Sequence, residues 1–213
     1  DLETVEKRLE KASKMLKADK KYQIEINALA RLKEALDNGK PARTVEITDE
    51  EKEFLKDIFL LTDKPIIYIS NVSEEQLADA ENDENVKKVK ELAKEENTKC
   101  IPLCAKIEEE LSGLEDEDKQ EMLEALGLKE SGLDTVVRES YDLLGLMSFL
   151  TAGEPEVRAW TIKKGTKAPE AAGKIHSDIQ RGFIKAEIVS YDDLIREGSM
   201  VAAREKGLVR SEG

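Results

Sequence analysis

Aromatic side chains are scarce in this chain of 213 residues, and so are long apolar runs. Phe, Trp and Tyr together make up 4% of the chain and charged residues 38%, which favours helices with solvated faces over an aromatic-rich β-sandwich. No apolar run approaches the roughly 18 residues of a membrane-spanning helix. The N-terminus has neither the basic start nor the apolar core of a signal peptide. We therefore expect a cytoplasmic protein without a membrane partner.

Cysteine and histidine are almost absent as well. The two cysteines, Cys100 and Cys104, are four residues apart, and His176 is the one histidine. On a strand the two thiols would share a face but lie too far apart to bond comfortably. Two thiols and a distant histidine also do not make the four-ligand set of a structural zinc site. We predict buried free thiols and no metal site.

The charge is acidic and unevenly distributed. A formal charge of −13 argues against non-specific binding to nucleic acid, and we expect no DNA partner. Residues 145–213 hold 11 basic and 10 acidic side chains, whereas residues 1–144 hold 23 and 37. This asymmetry indicates two functionally different parts.

The clearest helical pattern covers residues 1–38. Apolar residues recur there at spacings of three and four, and a charged stretch interrupts them midway. Two helices in an antiparallel coiled-coil hairpin explain this pattern, although a single long helix would also do so. Thr48 and Glu51 then match a capping box, which predicts a helix through Leu61. We assign residues 1–62 to a helical coiled-coil insertion.

Residues 63–138 show the order strand, helix, strand, helix. The apolar run at 64–70 predicts a buried interior strand, Ser73 starts a capping-box helix that reaches about Glu96, and residues 100–104 predict another strand before further polar helices. This order is typical of βα units on a parallel sheet. Because two parallel strands do not make an independently stable sheet, we expect a fragment of a larger domain.

The last third of the chain has a different character. Residues 139–150 predict a connecting helix, and residues 157–162 and 183–189 alternate as strands, with a turn at Gly165. These features indicate a small α+β module. The predicted fold class is therefore α/β with α+β: a helical hairpin, a partial parallel sheet and this module.

Polar residues follow the first predicted strand, where parallel sheets bind ligands. Asn71 and Glu74 come directly after it. P-loop GTPases place Asn-Lys-x-Asp there and a Ser-Ala-Lys loop after the next strand; this chain has Val72 for the Lys, Glu74 for the Asp, and Ala105-Lys106 in the second loop. An Asn side chain offers adenine a donor and an acceptor, while loss of the short Asp weakens guanine discrimination. The sequence predicts a purine site that prefers adenine.

Each candidate also has a structural interpretation. Asn-x-x-Glu after a strand often only begins a helix, here with Ser73 as the cap, and Lys106 could be a solvated lysine. Trp160 and Phe183 suit the core of a small domain better than base stacking. His176 has no nucleophile or second histidine beside it, and we assign it no catalysis. Four lysines could form an RNA-facing patch or solvated loops: Lys163, Lys164, Lys167 and Lys174.

The longest motifs lie in the tail. They are Gly-Glu-Pro-Glu-Val-Arg-Ala-Trp-Thr at 153–161, Lys-Ala-Pro-Glu-Ala-Ala-Gly-Lys-Ile-His-Ser-Asp at 167–178 and Gly-Phe-Ile-Lys-Ala-Glu at 182–187. With the hairpin, the Asn-Val-Ser-Glu strand end and the Ala-Lys-Ile-Glu loop, the chain resembles the YchF/Obg-like ATPase family along its whole length. The tail resembles the TGS domain of that family.

The resemblance implies a P-loop ATPase/GTPase with a helical insertion and a C-terminal TGS domain. Such a protein would bind ATP in preference to GTP, use Mg²⁺ and associate with ribosomes. By position, Asn71 and Val72 would contact the base, Glu74 would border it, and Ala105 and Lys106 would form the opposing loop.

The resemblance also assigns the remaining parts of the chain. Residues 63–138 would be the C-terminal part of the nucleotide-binding domain, and residues 139–213 a linker helix and an incomplete TGS domain. The chain has no Gly-x-x-x-x-Gly-Lys-[Ser/Thr] phosphate loop, and we expect no metal-binding element in it. Since phosphoryl transfer needs both, the sequence gives no basis for hydrolysis by this chain alone. The alternatives are a non-enzymatic module that binds RNA, ribosome or protein, and a guanine-specific GTPase.

Overall fold

A computed structural model describes residues 1–153 and 156–213, which divide into two compact units at the step from Ser140 to Tyr141. Glu154 and Pro155 of the tail motif lie outside the described residues. None of the helices in the described part of the chain has the length and apolarity of a membrane span.

The N-terminal unit is mostly helical, with two 3-10 turns at Ala42–Thr44 and Leu61–Asp63. Its helices and strands are α1 (Leu2–Met15), α2 (Tyr22–Asp37), α3 (Asp49–Leu55), β1 (Tyr68–Asn71), α4 (Glu74–Leu77), α5 (Glu84–Glu95), β2 (Cys100–Leu103), α6 (Ala105–Ser112), α7 (Asp116–Ala125) and α8 (Gly132–Leu143), which runs past the boundary. The C-terminal unit contains β3 (Leu146–Ala152), β4 (Val157–Lys163), α9 (Ala168–Ile175), α10 (Ser177–Arg181), β5 (Ala186–Ile188), α11 (Tyr191–Glu197), α12 (Met200–Glu205) and β6 (Arg210–Glu212).

Helices α1 and α2 form an antiparallel hairpin, so the single long helix is wrong. Antiparallel pairing follows from the contacts, since Lys33 Nζ lies 2.6 Å from Glu6 Oε1 and Arg8 Nε lies 2.5 Å from Glu25 Oε1. The apolar stripe of each helix meets the other in one core cluster, which contains Val5, Ala12, Leu29, Leu32, Ala42 and Leu60. Leu60 joins this cluster from the segment after α3, which ties that segment to the hairpin.

The predicted helix after Thr48 is shorter than expected. Its capping box is confirmed, because Thr48 Oγ1 accepts the Glu51 N–H and the Glu51 carboxylate accepts the Thr48 N–H. The helix ends at Leu55 instead of Leu61. Further along, the carboxylate of Asp1 accepts the N–H groups of Leu61 and Thr62, so a side chain takes the place of helical carbonyls there.

Strands β1 and β2 pair in parallel, as predicted, with Tyr68 opposite Cys100 and Asn71 opposite Leu103. The expected buried interior strand is wrong for this chain, because β1 alternates between half-buried and exposed side chains and Ile69 is 45% exposed. Of the two thiols, Cys104 is buried and Cys100 is half-buried, and both are free.

The helical segment after β1 is divided into two helices. Its predicted continuous helix to about Glu96 is wrong, since α4 ends at Leu77 and a turn follows. A new helix, α5, begins where the Asp83 carboxylate accepts the N–H groups of Asn85 and Val86. The second cap explains the break, because Asp competes well for backbone N–H groups at a helix start.

The C-terminal unit contains two antiparallel strand pairs, β3 with β4 and β5 with β6. The connecting helix predicted at 139–150 is therefore wrong beyond Leu143. Gly145 has φ +62°, a left-handed conformation that ends the helix, and Leu146–Ala152 then pairs with β4 along its whole length. On β4, Trp160 stacks on Phe149 and donates its Nε1–H to Thr151, which supports the structural interpretation of Trp160.

We expect Arg8→Ala to lower the free energy of unfolding by about 2–4 kcal/mol, because Glu25 is 1% exposed and would keep a buried charge without its partner. Arg8 also donates to the carbonyl of Phe54, so the change loosens α3. Urea denaturation measures the effect. The control is Lys7→Ala, whose exposed ion pair with Glu3 should contribute less than about 1 kcal/mol. Equal losses for both variants would contradict this account of the hairpin.

Candidate functional site

The parallel pairing of β1 and β2 brings two chain segments to one edge of the sheet, residues 72–75 and 104–106, which we call the first and second loop. In the second, Ala105 and Lys106 form the first turn of α6 instead of the predicted irregular loop. Both strands run towards this edge, and the Val72 N–H donates to the Leu103 carbonyl over 2.9 Å, which continues the ladder beyond the last strand pair. The segment after β1 and the first turn of α6 therefore lie side by side. This is the edge at which parallel sheets bind ligands.

One side chain joins the two loops directly. Asn71 Oδ1 accepts the backbone N–H of Ala105 over 3.0 Å. An Asn that only began a helix would use its oxygen on α4, whereas Asn71 uses it on the opposing loop. The cap of α4 is Ser73 instead, since Ser73 Oγ accepts the Gln76 N–H over 3.3 Å and Gln76 Oε1 accepts the Ser73 N–H over 3.0 Å.

An open cavity of about 430 Å³ lies between the loops. It is lined by Asn71, Val72, Ser73, Glu74, Glu75, Cys104 and Lys106. Four of the five predicted site residues thus line one cavity, and the fifth, Ala105, is bonded to one of them. The other three lining residues, Ser73, Glu75 and Cys104, were not predicted as site residues from the sequence. The position of Cys104 among apolar residues at the end of a predicted strand could have indicated that it lies at this edge of the sheet.

An ion pair crosses the cavity. Lys106 Nζ lies 3.4 Å from Glu74 Oε2 and 3.7 Å from Glu110 Oε1. The hydrogen bond to Glu74, with the charges of both carboxylates, raises the pKa of Lys106 above its ordinary value, so Lys106 stays an ammonium group at neutral pH. Because the side chains of Lys106 and Glu74 are 67% and 53% exposed, the pair adds little to stability and a ligand can separate it.

The second loop is anchored by Glu108, which sequence reasoning did not assign a role. Its carboxylate accepts the Gly132 N–H over 2.8 Å and the Leu133 N–H over 3.0 Å, at the start of α8. A Cβ on Gly132 would lie 2.8 Å from the Cβ of Leu103, so only glycine permits this approach. These contacts fix helix α6, and with it Lys106, against the start of α8. The signal in the sequence was Gly132, a glycine directly before a helical pattern, which can indicate a close approach of two segments.

The remaining candidates have structural roles or none that the described residues reveal. His176 Nδ1 accepts the Asp178 N–H over 3.2 Å and so caps α10. Within residues 1–153 and 156–213, no group of three or more His, Cys, Asp or Glu side chains is placed to hold a metal ion. Lys163, Lys167 and Lys174 are exposed, and Lys164 Nζ lies 2.6 Å from Asp142 Oδ1.

An Asp-x-x-Gly sequence does occur, at 142–145, although the sequence analysis expected no metal-binding element. Asp142 lies in the last turn of α8 and Gly145 begins the turn into β3. Asp142 Oδ1 accepts from Lys164. The motif thus closes a helix in the C-terminal unit and is not part of the cavity lining.

Comparison with known proteins identifies the relatives of this chain. A family model described as YchF-GTPase_C, a protein of unknown function, matches residues 146–213. The ribosome-binding ATPase YchF of Bacillus subtilis is 55% identical over 214 residues, which cover 100% of this chain and 58% of the relative. The protein of the same name from Escherichia coli O157:H7 is 39% identical with the same coverage. The chain belongs to the YchF family.

The structural comparison agrees. The structure of the Schizosaccharomyces pombe YchF GTPase matches with a TM-score of 0.83 at 32% identity, over 100% of this chain and 58% of that chain. The mixed α/β fold with small sheets and many helices is therefore confirmed, whereas the TGS and coiled-coil assignments and the domain limits stay predictions. The chain spans 58% of the length of the YchF proteins it matches.

We expect Asn71→Ala to loosen the second loop of the cavity. Without Oδ1, the Ala105 N–H loses its acceptor, and its hydrogen exchange should become up to about tenfold faster, the scale of one net hydrogen bond. Amide exchange measured by NMR reads this out. Ser73→Ala is the control, since it removes a cap of α4 and should leave Ala105 unchanged. Unaltered exchange at Ala105 in Asn71→Ala would contradict the role given to Asn71.

Proposed function

We propose that this chain supplies the base-binding part of the nucleotide site of a YchF-type ATPase, and that this site prefers adenine to guanine. The observation that carries the proposal is the arrangement around Asn71: its side chain joins two loops beside a cavity in which Glu74 is already paired with Lys106.

In this proposal Asn71 binds a feature that both purines share. Its Oδ1 already accepts from Ala105, so Nδ2 is the group best placed to serve a ligand. An amide N–H pairs with the N7 acceptor, which adenine and guanine both carry. Asn71 would then hold the base in place, and other groups would choose between the bases.

Glu74 is the group that we assign to the choice. A free carboxylate at this position would accept from both N1–H and the 2-amino group of guanine, whereas adenine has an acceptor at N1 and no amino group at C2. Here the Glu74 carboxylate is paired with Lys106, so it is not free to accept hydrogen bonds from guanine. Val72 stands where P-loop GTPases have a Lys, and it would offer the base an apolar side chain instead of the stem of that lysine. Both features favour adenine, and with it ATP over GTP.

The phosphates and Mg²⁺ would be held by parts of the protein other than this cavity. The sequence contains no phosphate loop, and the cavity offers only the carboxylates of Glu74 and Glu75, one of which is paired with a lysine. This set does not suit Mg²⁺, which needs octahedral oxygen ligands. When bound, the ion would neutralise phosphate charge during hydrolysis. We assign no catalytic residue in this chain.

Association with the ribosome is part of the same proposal. The relatives from Bacillus subtilis and Escherichia coli are named ribosome-binding ATPases. In this chain the region from 145 to 213 is close to neutral while the rest is strongly acidic, so attraction to ribosomal RNA requires a local basic surface.

We expect the intact protein that contains this chain to bind ATP more tightly than GTP, and Asn71→Ala to weaken ATP binding by about 0.5–1.5 kcal/mol, the scale of one lost hydrogen bond to the base. Competition titration with the two nucleotides measures both. Asn82→Ala, which removes an exposed amide outside the cavity lining, should bind ATP as the unchanged protein does. Tighter GTP binding, or an unchanged affinity in Asn71→Ala, would overturn the proposed site.

We expect Lys106→Met to raise GTP affinity by about three- to tenfold, because the Glu74 carboxylate would become available to guanine while the apolar stem is kept. The gain should disappear when Glu74→Gln is added. Glu110→Gln removes only the other, more distant partner of Lys106 and serves as the matched control. A GTP affinity that does not respond to Lys106→Met would remove Glu74 from the choice of base.

A further inference from the structure

The turn end of the α1–α2 hairpin carries a concentration of positive charge that the proposed nucleotide site does not use. We propose that this lysine tip, residues 11–21, is a docking surface for the phosphate backbone of RNA. The RNA as occupant rests on the ribosome association proposed above, whereas the surface itself is independent of the cavity.

The charge of the lysine tip is opposite to that of the chain. Its eleven residues contain five lysines and one acidic residue, Asp19, in a protein with a formal charge of −13. The lysines are Lys11, Lys14, Lys17, Lys20 and Lys21, and all five are exposed. Within the described part of the chain only Lys14 is in an ion pair, with Glu10 Oε1 at 2.6 Å. Four ammonium groups are therefore available to a partner.

The hairpin presents these charges on a defined support. Helix α1 ends at Met15 and α2 begins at Tyr22, so the last turns of one helix and the connection to the next carry the lysines. Three of the four lysines that have no ion pair within the described residues, Lys17, Lys20 and Lys21, lie in the connection between the two helices.

The chemistry of the lysine tip favours backbone contacts over base reading. Between Lys11 and Lys21 there is no aromatic side chain on which a base could stack, and Lys donates as a point charge. Tyr22, the next residue, packs against the hairpin core. Binding should therefore be insensitive to sequence and strongly dependent on salt.

An RNA partner explains the tip better than a membrane. An amphipathic segment that enters a bilayer surface needs a broad apolar face. The tip exposes Met15, while Leu16 is half-buried. Lysines without an apolar face suit a hydrated polyanion.

The test compares two sets of four lysines within this chain, in the intact protein that contains it. The tip variant changes Lys11, Lys17, Lys20 and Lys21 to Gln. The control changes four exposed lysines that also lack ion pairs within the described residues: Lys56, Lys87, Lys88 and Lys94. Binding to a fluorescent RNA duplex of arbitrary sequence, about 20 base pairs long, is measured by anisotropy between about 50 and 200 mM KCl. Circular dichroism verifies that both variants keep their helices.

We expect the unchanged protein to bind the duplex, with an affinity that falls linearly with salt on logarithmic axes. The tip variant should lose at least about tenfold in affinity and reduce the salt slope by about 2–3, because up to four phosphate contacts are lost. The control should change affinity less than about twofold. If the tip variant loses helix, charge reversal at Lys17 and Lys20 alone, which lie in the connection, repeats the test.

Three results would overturn the proposal: no binding of RNA by the unchanged protein, equal losses for the tip and control variants, or binding to phosphatidylserine vesicles that depends on the tip while RNA binding does not. Failure here leaves the proposed nucleotide site intact, since ATP affinity of the intact protein is measured separately. Conversely, loss of the Asn71 effect on ATP would leave the lysine tip unaffected.

Discussion

The hydrogen bond from the Ala105 N–H to Asn71 Oδ1 joins the two loops on which the functional proposal depends. It is possible only because β1 and β2 run in parallel and end at the same level, with Asn71 opposite Leu103. In an antiparallel pair the two loops would lie at opposite ends of the sheet. The bond also decides the chemistry of the amide, since an oxygen that is used internally leaves the N–H groups for a ligand.

Charge is placed for different purposes in the two parts of the helical hairpin. Along its length, paired charges position the helices: Glu25 is buried and satisfied by Arg8, and Lys33 meets Glu6. At the turn, five lysines accumulate instead, and four of them have no ion pair within the described residues. A buried pair orders the packing of two helices, whereas unpaired exposed lysines contribute nothing to packing and are free for a partner. The ion pair at the cavity differs from both cases, because Lys106 is paired with Glu74 and its side chain is nevertheless exposed.

Several errors of sequence reasoning share one cause, which is that distant residues decided the local structure. The helix after Thr48 stops early, and the Asp1 carboxylate, sixty residues away in sequence, takes the N–H of Leu61. The segment at 139–150 has helical spacing, yet only its first part, to Leu143, is helical, and from Leu146 it is a strand that pairs with β4. By contrast, both capping boxes and the hairpin were predictable, since they depend on residues three or four positions apart.

The sequence by itself determined the local features of the site: the strand end at Asn71, the cap at Ser73, the loop at Ala105 and Lys106, and the family to which they belong. Neighbouring residues and their spacing encode these features. Only the tertiary structure decided that Asn71 bonds to Ala105, that Glu74 is engaged by Lys106, and that Glu108 holds the start of α8. Those contacts join residues more than twenty positions apart, and parallel strand pairing, not local propensity, brings such residues together.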